Sequence, residues 1–472
     1  MFSKSSQQRG GVVLRLNEEI ERSGHFWLPS NPDRKVPGKL TILDGGRIEL
    51  EIDGPFDESI ETLKHFLDDE DPRIERILGR VEKDGAVTLF DCFYTSWNIS
   101  FGAPLKSRIF ARTAILGIHC EDKALTINTL QFSIEGIDEW VGINSITIEH
   151  DKIEKTNTIK AAQPQEISVK LSNDLMLIIR ILSSLSIILM KEAKITQKIY
   201  LKLVSCEGRT IEEMISIAHK VTTLVSFATS RNVSIEDVQA RSERFTNEDG
   251  KPKQFSLFYQ SRPFSLDKPK IDIDRMLFRY PQISTNPEMV FQNWFKAYET
   301  NRPTIELYFS AVHDGYSFID GKFLALVQAM ESYHRRTSDE TVMPEEDYKQ
   351  LCNVLLANCP KPNRKWLSEK LKYGNEISLS KRIKSTIKPF EQHVGAPKDV
   401  KKMIRKIVDT RNYFTHFDES LKSKAAHGQE LSDLCRKMEA IIQLRLLKLL
   451  GFDEEQINEV LENNLELNYK LK

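Results

Sequence analysis

Between Lys39 and Ile52 the chain reads KLTILDGGRIELEI, two runs separated by Asp44-Gly45-Gly46, the second of which alternates apolar and charged residues. A period of two matches the pleat of a half-buried strand, and adjacent glycines accept the positive φ of a tight turn, so this segment predicts a β-hairpin. The run ILGRVEKDGAVTLFDCFYT predicts another, turning at Asp84-Gly85. Strand-like runs follow at Ser107–His119, Leu125–Ile134 and Ile143–Ile148, around Ile199–Val204, and at Gln254–Gln260. Many short strands divided by turn residues predict a sandwich or a barrel. One helix interrupts them at 211–229, where Thr210 and Glu213 have capping-box spacing and Ile211, Met214, Ile215, Ala218, Val221 and Val225 form an apolar stripe. The stretch Leu175–Met190 is the most apolar, but it is shorter than the roughly 20 residues of a spanning helix and carries Arg180; it predicts buried structure, two strands and a turn, and no membrane contact.

The period changes to 3.6 after a polar, proline-containing connection at 264–270, and the domain change falls between there and about Arg302. Gly321–His334, Tyr348–Leu356, Trp366–Tyr373, Asp399–Phe417 and Leu431–Leu450 predict helices, the last ending at Gly451, with Asp453 and Gln456 capping one more. The expected class is therefore α+β: a β-rich, sandwich-like domain over residues 1–290, then an all-α bundle over 300–472.

The chain has 472 residues, enough for two or three domains with cores of their own. With 67 basic and 68 acidic residues, no whole-molecule field draws in a polyanion. Charge is nevertheless segregated: from Lys361 to Arg411 there are 15 Lys and Arg against 5 Asp and Glu, interleaved with Trp366 and Tyr373. Such a segment suits a phosphate backbone, although a solvated helix face has the same composition. The six cysteines show no C-x-x-C spacing, which points to reduced thiols; with no apolar leader at the N-terminus, the expected location is cytoplasmic. Phosphate-binding loop, dinucleotide turn, zincin and nucleophile-elbow signatures are missing, so NTPase, Rossmann, zincin and α/β-hydrolase readings lack their usual support. His25, His313, His334 and His427 have no ligand-like spacing, and His334 falls on an apolar stripe. Trp27, Trp97 and Trp140 read first as sheet-core residues.

The long helix over 399–417 carries Asp409-Thr410-Arg411-Asn412-Tyr413-Phe414-Thr415-His416. At 100° per residue Arg411 falls within the stripe formed by Val400, Met403, Ile404, Ile407 and Phe414, where a guanidinium needs a partner; Glu331, at the edge of the stripe Phe323, Val327, Met330, is the candidate. Asn412 and His416, four apart, share a face. An Arg fork beside an imidazole suits metal-free cleavage of RNA: imidazole exchanges protons near neutral pH, and the fork meets the oxygens on which negative charge develops. One histidine cannot readily be base and acid at once, so two copies facing each other in a homodimer are expected. Against this, a histidine in a last helical turn is favoured simply by the helix dipole, and Arg411 with Glu331 would also serve as a plain interhelical ion pair.

The run R-N-x-x-x-H on a late helix, preceded by Phe323-Leu324-Ala325-Leu326-Val327-Gln328-Ala329-Met330-Glu331-Ser332-Tyr333, resembles the HEPN superfamily, in particular the HEPN domain of ApeA-like anti-phage proteins. His25-Phe26-Trp27-Leu28-Pro29, Val36-Pro37-Gly38-Lys39-Leu40, the Gly45-Gly46 hairpin and Glu135-Gly136-Ile137-Asp138-Glu139-Trp140 resemble the ApeA N-terminal domain. The resemblance implies a bacterial defence ribonuclease that cleaves host or phage RNA, such as tRNA, and halts growth, with a HEPN bundle that dimerises. It implies that Arg411 and His416 are catalytic and Asn412 and Glu331 supporting, that neither metal nor nucleotide cofactor is needed, and that the N-terminal domain senses a phage-derived trigger. The alternative is a HEPN module that only dimerises or binds RNA or a nucleotide.

Overall fold

The computed structural model describes residues 14–16, 18–56, 73–98, 106–121, 125–260, 268–313 and 318–472, which fall into two compact units divided between Gln292 and Asn293.

The N-terminal unit is built on β1 (Leu14–Arg15), β2 (Ile20–Leu28), β3 (Asn31–Ile42), β4 (Ile48–Asp53), β5 (Ile74–Val81), β6 (Gly85–Asn98), β7 (Lys106–Leu116) and β8 (Thr126–Ile134). Strands β2, β3, β4, β7, β6 and β5 pair in that circular order, each with both neighbours, so the sheet closes into a six-stranded antiparallel barrel. Closure removes the free edges that an open sheet exposes. Its interior is filled from alternate positions by Phe26, Leu40, Ile42, Ile48, Leu50, Ile52, Ile77, Val87, Leu89 and Ile109, all fully buried. Gly79 makes room for the Phe26 ring, which a Cβ at that position would meet at 2.4 Å. Both predicted turns are present: Gly45 and Gly46 have φ of 115° and 67°, and Gly85 has 72°.

The sheet then forks. One edge of β7 holds β4 as far as Ala111 and, beyond Arg112, passes to β15 (Pro252–Tyr259) through Thr113–Leu116. From β15 an open arm continues through β14 (Ile235–Thr246), β8, β13 (Glu192–Thr210), β12 (Leu175–Ile188) and β11 (Ile167–Lys170), while β9 (Ile146–Asp151) and β10 (Thr156–Ala161) form a separate ribbon. The β region is thus a barrel extended by a sheet. Leu175–Ile188 is one 14-residue strand, not two strands and a turn: Leu175, Leu177, Ile179 and Ile181 are buried, but Leu185, Ile187, Ile188, Leu189 and Met190 are exposed beyond the reach of β11. Helix α1 (Ile137–Val141) buries Trp140 against Phe278 and Tyr280, and Glu135 beside it binds the buried Arg15 at 2.8 Å. Helix α2 (Ile211–Thr229) has the capping box of Thr210 and Glu213 and packs on β8 and β13. Trp27 and Trp140 are core residues; the Trp97 side chain lies outside the described ones.

After the short α3 (Tyr280–Ile283) come α4 (Pro287–Thr300), across which the two units meet in sequence, α5 (Arg302–His313), α6 (Ile319–Thr337), α7 (Glu345–Asn358), α8 (Arg364–Leu371), α9 (Leu379–Ile387), α10 (Glu391–Val394), α11 (Pro397–His416), α12 (Glu419–Lys422), α13 (Gly428–Leu450), α14 (Glu454–Asn463) and α15 (Leu465–Leu471). Helix α6 is central, packing on α5, α9, α11 and α13 with Phe323, Leu326, Val327 and Met330 inward. Glu439 of α13 is buried, which alone would push its carboxyl up, but Lys470 at 2.8 Å and Lys322 at 3.1 Å hold it below its usual range.

Candidate active site

Helix α11 begins with Pro397 in its first turn, where a missing N–H costs nothing, and it lies on the core through Val400, Ile404, Ile407 and Thr410. The buried Thr410 hydroxyl accepts a 2.8 Å hydrogen bond from the backbone N–H of Ala426, tying the returning chain to the helix one residue before Arg411. Beyond Thr410 burial fades: Arg411, Asn412, Tyr413 and Phe414 are half-buried, and Thr415 and His416 are exposed. The last turn therefore carries its polar groups out of the core, with the imidazole at the rim. Phe417 closes the helix in the left-handed region, its N–H bonding to the Tyr413 carbonyl at 2.6 Å.

The Arg411 guanidinium donates from Nη1 to Oδ1 of Asn412 at 3.2 Å. The expected ion pair with Glu331 is not formed: Glu331 holds Arg335, one turn along its own helix, at 3.2 Å. Two geometric facts account for this correction. An i,i+4 Glu–Arg pair is already adjacent on a helix surface. The contact between α6 and the end of α11 is made instead by Phe323 and Phe414, with centroids 6.0 Å apart in an edge-to-face arrangement, and Glu331 lies eight residues, or about 12 Å of helix, further on. Arg335 also meets Glu376 at 2.7 Å, Glu376 meets Arg382 at 3.0 Å, and Arg382 approaches the buried His334 at 3.5 Å, so Glu331 belongs to a network joining α6 and α9. Among the described residues no carboxylate pairs with Arg411.

The structure brings Arg411 and Asn412 into contact and leaves His416 open. Near it, Asp418 caps α12; hydrogen bonds from the side chain and backbone of Ser420, helped less by His416, hold its carboxyl below the usual range. A feature with no sequence signal is His427: eleven residues past His416, it stands edge-on to Tyr413 and Phe414 at 5.8 and 6.3 Å, bracing the turn between the two candidate catalytic residues. A groove of about 260 Å³ between α11, α13 and α15 is lined by Lys402, Lys406, Glu430, Arg436 and Tyr469 and by none of the four candidates. In the N-terminal unit an open groove of about 630 Å³ on the outer barrel face bears charges of both signs, among them Lys39, Glu51, Asp53 and Arg80. Among the described residues no three His, Cys, Asp or Glu side chains are placed to hold a metal ion, and no helix is long and apolar enough to cross a membrane.

Family models match both parts: ApeA N-terminal domain 1 over residues 21–294, more than half of the chain, and the Apea-like HEPN domain over 324–456. The chain belongs to the ApeA-like family. Its β-rich region thus carries the ApeA N-terminal domain and its helical region the HEPN domain, whose match runs from α6 into α14 and includes the turn with Arg411 and His416. HEPN domains are generally nucleases that act on RNA, and the two matches together point to an RNase or anti-phage role for this ApeA-like protein. Neither the curated proteins nor the solved structures offer a match to the chain.

Proposed function

We propose that this protein is a metal-independent HEPN endoribonuclease acting in anti-phage defence by abortive infection, with tRNA or another structured RNA as target. The observation that carries the reading is the exposure of His416 on the last turn of α11, with Arg411 little more than one turn behind it and bonded to Asn412. A sealed imidazole would serve only packing; an open one reaches a phosphodiester.

Two copies of the bundle face each other, because cleavage moves two protons in opposite directions. His416 of one copy takes the 2′-hydroxyl proton as O2′ bonds to phosphorus; the bond from phosphorus to O5′ breaks, and His416 of the partner subunit gives that oxygen a proton. The products are a 2′,3′-cyclic phosphate and a 5′-hydroxyl. Arg411 lays its planar fork against the non-bridging oxygens as they gain charge, and Asn412 fixes its orientation. Glu331 is left with Arg335, outside this machinery. The N-terminal unit is the sensor of a phage-derived trigger, and the protein works in the cytoplasm.

The test is incubation of purified protein with total RNA in EDTA. Cleavage that survives chelation, and that is lost by at least about a hundredfold in both His416→Ala and Arg411→Ala with unchanged circular dichroism, is the expected result. Full activity in His416→Ala sinks the assignment, and intact RNA with the native chain favours a binding module.

A further inference from the structure

The segment from Lys361 to Tyr373, which contains α8, differs chemically from the rest of the helical unit. Elsewhere several of the long cations are paired: Lys406 with Glu430, Arg436 with Asp433, Lys470 with Glu439 and Glu466. Here Lys361, Lys365, Lys370 and Lys372 are exposed, and among the described residues none has a carboxylate within ion-pair distance; the single acid is Glu369. On the same segment Trp366 is 60% and Tyr373 71% exposed.

Positions 366, 370 and 373 have the i, i+4, i+7 spacing of one helix face, and the backbone stays helical through Lys372. Two open rings therefore stand about 10 Å apart along the helix axis with an ammonium group between them. A face kept merely for solvation carries cations without large rings, and a face kept for the core buries its rings. Two rings and an unpaired cation in one stripe, with further unpaired lysines on the adjoining face, fit an unpaired polynucleotide, whose bases offer a π-face whatever the sequence and whose phosphates follow the charge.

We infer that α8 is a docking platform for unpaired RNA, separate from the turn that carries His416; the choice of RNA rests on the ribonuclease reading above. Trp366 and Tyr373 stack on bases, and the four lysines contact phosphates.

The experiment uses the full chain carrying His416→Ala, so that the probe survives, titrated against a fluorescein-labelled 12-nucleotide uridylate strand and read by fluorescence anisotropy. Adding Trp366→Ala and Tyr373→Ala weakens binding by about tenfold for each ring, while Trp366→Phe retains most of the affinity. A 12-base-pair RNA duplex, whose bases are stacked on each other, shows no such loss. Unchanged affinity of the double variant, with native circular dichroism, overturns the inference; so does a shift in sedimentation with no shift in anisotropy, which makes the stripe a protein contact. If the rings matter and native protein cleaves no RNA, the platform stands and the nuclease reading falls. If cleavage occurs and the rings do not matter, the reverse holds.

Discussion

At the scale of single residues, the candidate site depends on Thr410 more than on any carboxylate. Its hydroxyl is the acceptor for the buried Ala426 N–H, and nothing else in that bond is a side chain. Thr410→Val preserves shape and removes the acceptor, leaving an unpaired buried donor, which costs about 1–3 kcal/mol. Urea unfolding followed by circular dichroism measures that loss. The variant also loosens the chain on which His427 braces Tyr413 and Phe414, so RNA cleavage falls further than stability predicts at temperatures where the protein is still folded. Arg411 and His416 could be picked out in the sequence because R-N-x-x-x-H is local, and a helix fixes the relative placement of residues five apart. The partner of Arg411 could not: helix period says which face Glu331 occupies but not how far α6 slides along α11, and Phe323 against Phe414 sets that slide.

At the scale of elements, α6 and α9 are held together by a network whose strength depends on pH. Burial, and then the charge of Arg382, lowers the affinity of His334 for a proton, outweighing the pull of Glu340 at 3.5 Å. The folded state therefore prefers the neutral ring. The stabilisation is complete above the ordinary histidine range of about 6.5 and is lost as pH falls through that value towards the lower folded-state one, because the unfolded chain then binds a proton that the folded chain refuses. Glu376, held below its usual range by Arg335 and Arg382, adds a loss of the same sign only in more acidic solution. Urea midpoints should decline as the pH falls below about 6.5, and His334→Gln should flatten that decline without flattening the further one in more acidic solution. Equal slopes in both proteins refute the role of His334. The burial of His334 was legible from its stripe, and so were both glycine turns and the capping boxes at Thr210 and Asp453, since each is written within a few residues. Closure of the barrel was not: it depends on β6 meeting β7 along one edge while β4 and β15 share the other, a pairing set by long-range register.

At the scale of the whole molecule, near-neutrality and local charge have different consequences. A net charge of −1 gives no long-range attraction for RNA, so binding must come from ions released where cations are clustered and unpaired. The +10 run from Lys361 to Arg411 overstates that capacity, because Arg382 is taken up by Glu376 and Lys406 by Glu430. Among the cations of the run that no carboxylate holds, four lysines lie on α8 or at its two ends. Each phosphate neutralised on a single strand contributes about −0.7 to the slope of log affinity against log salt, so four contacts give a slope of about −3. Replacing Lys361, Lys365, Lys370 and Lys372 with Ser in the His416→Ala chain should bring the slope close to zero while the stacking contribution of Trp366 and Tyr373 persists at high salt. A slope much steeper than −3 in the unsubstituted protein would mean that the groove of Lys402, Lys406 and Arg436 takes part as well, and that its ion pairs open when RNA arrives. A slope unchanged by the four substitutions would place the strand elsewhere on the bundle.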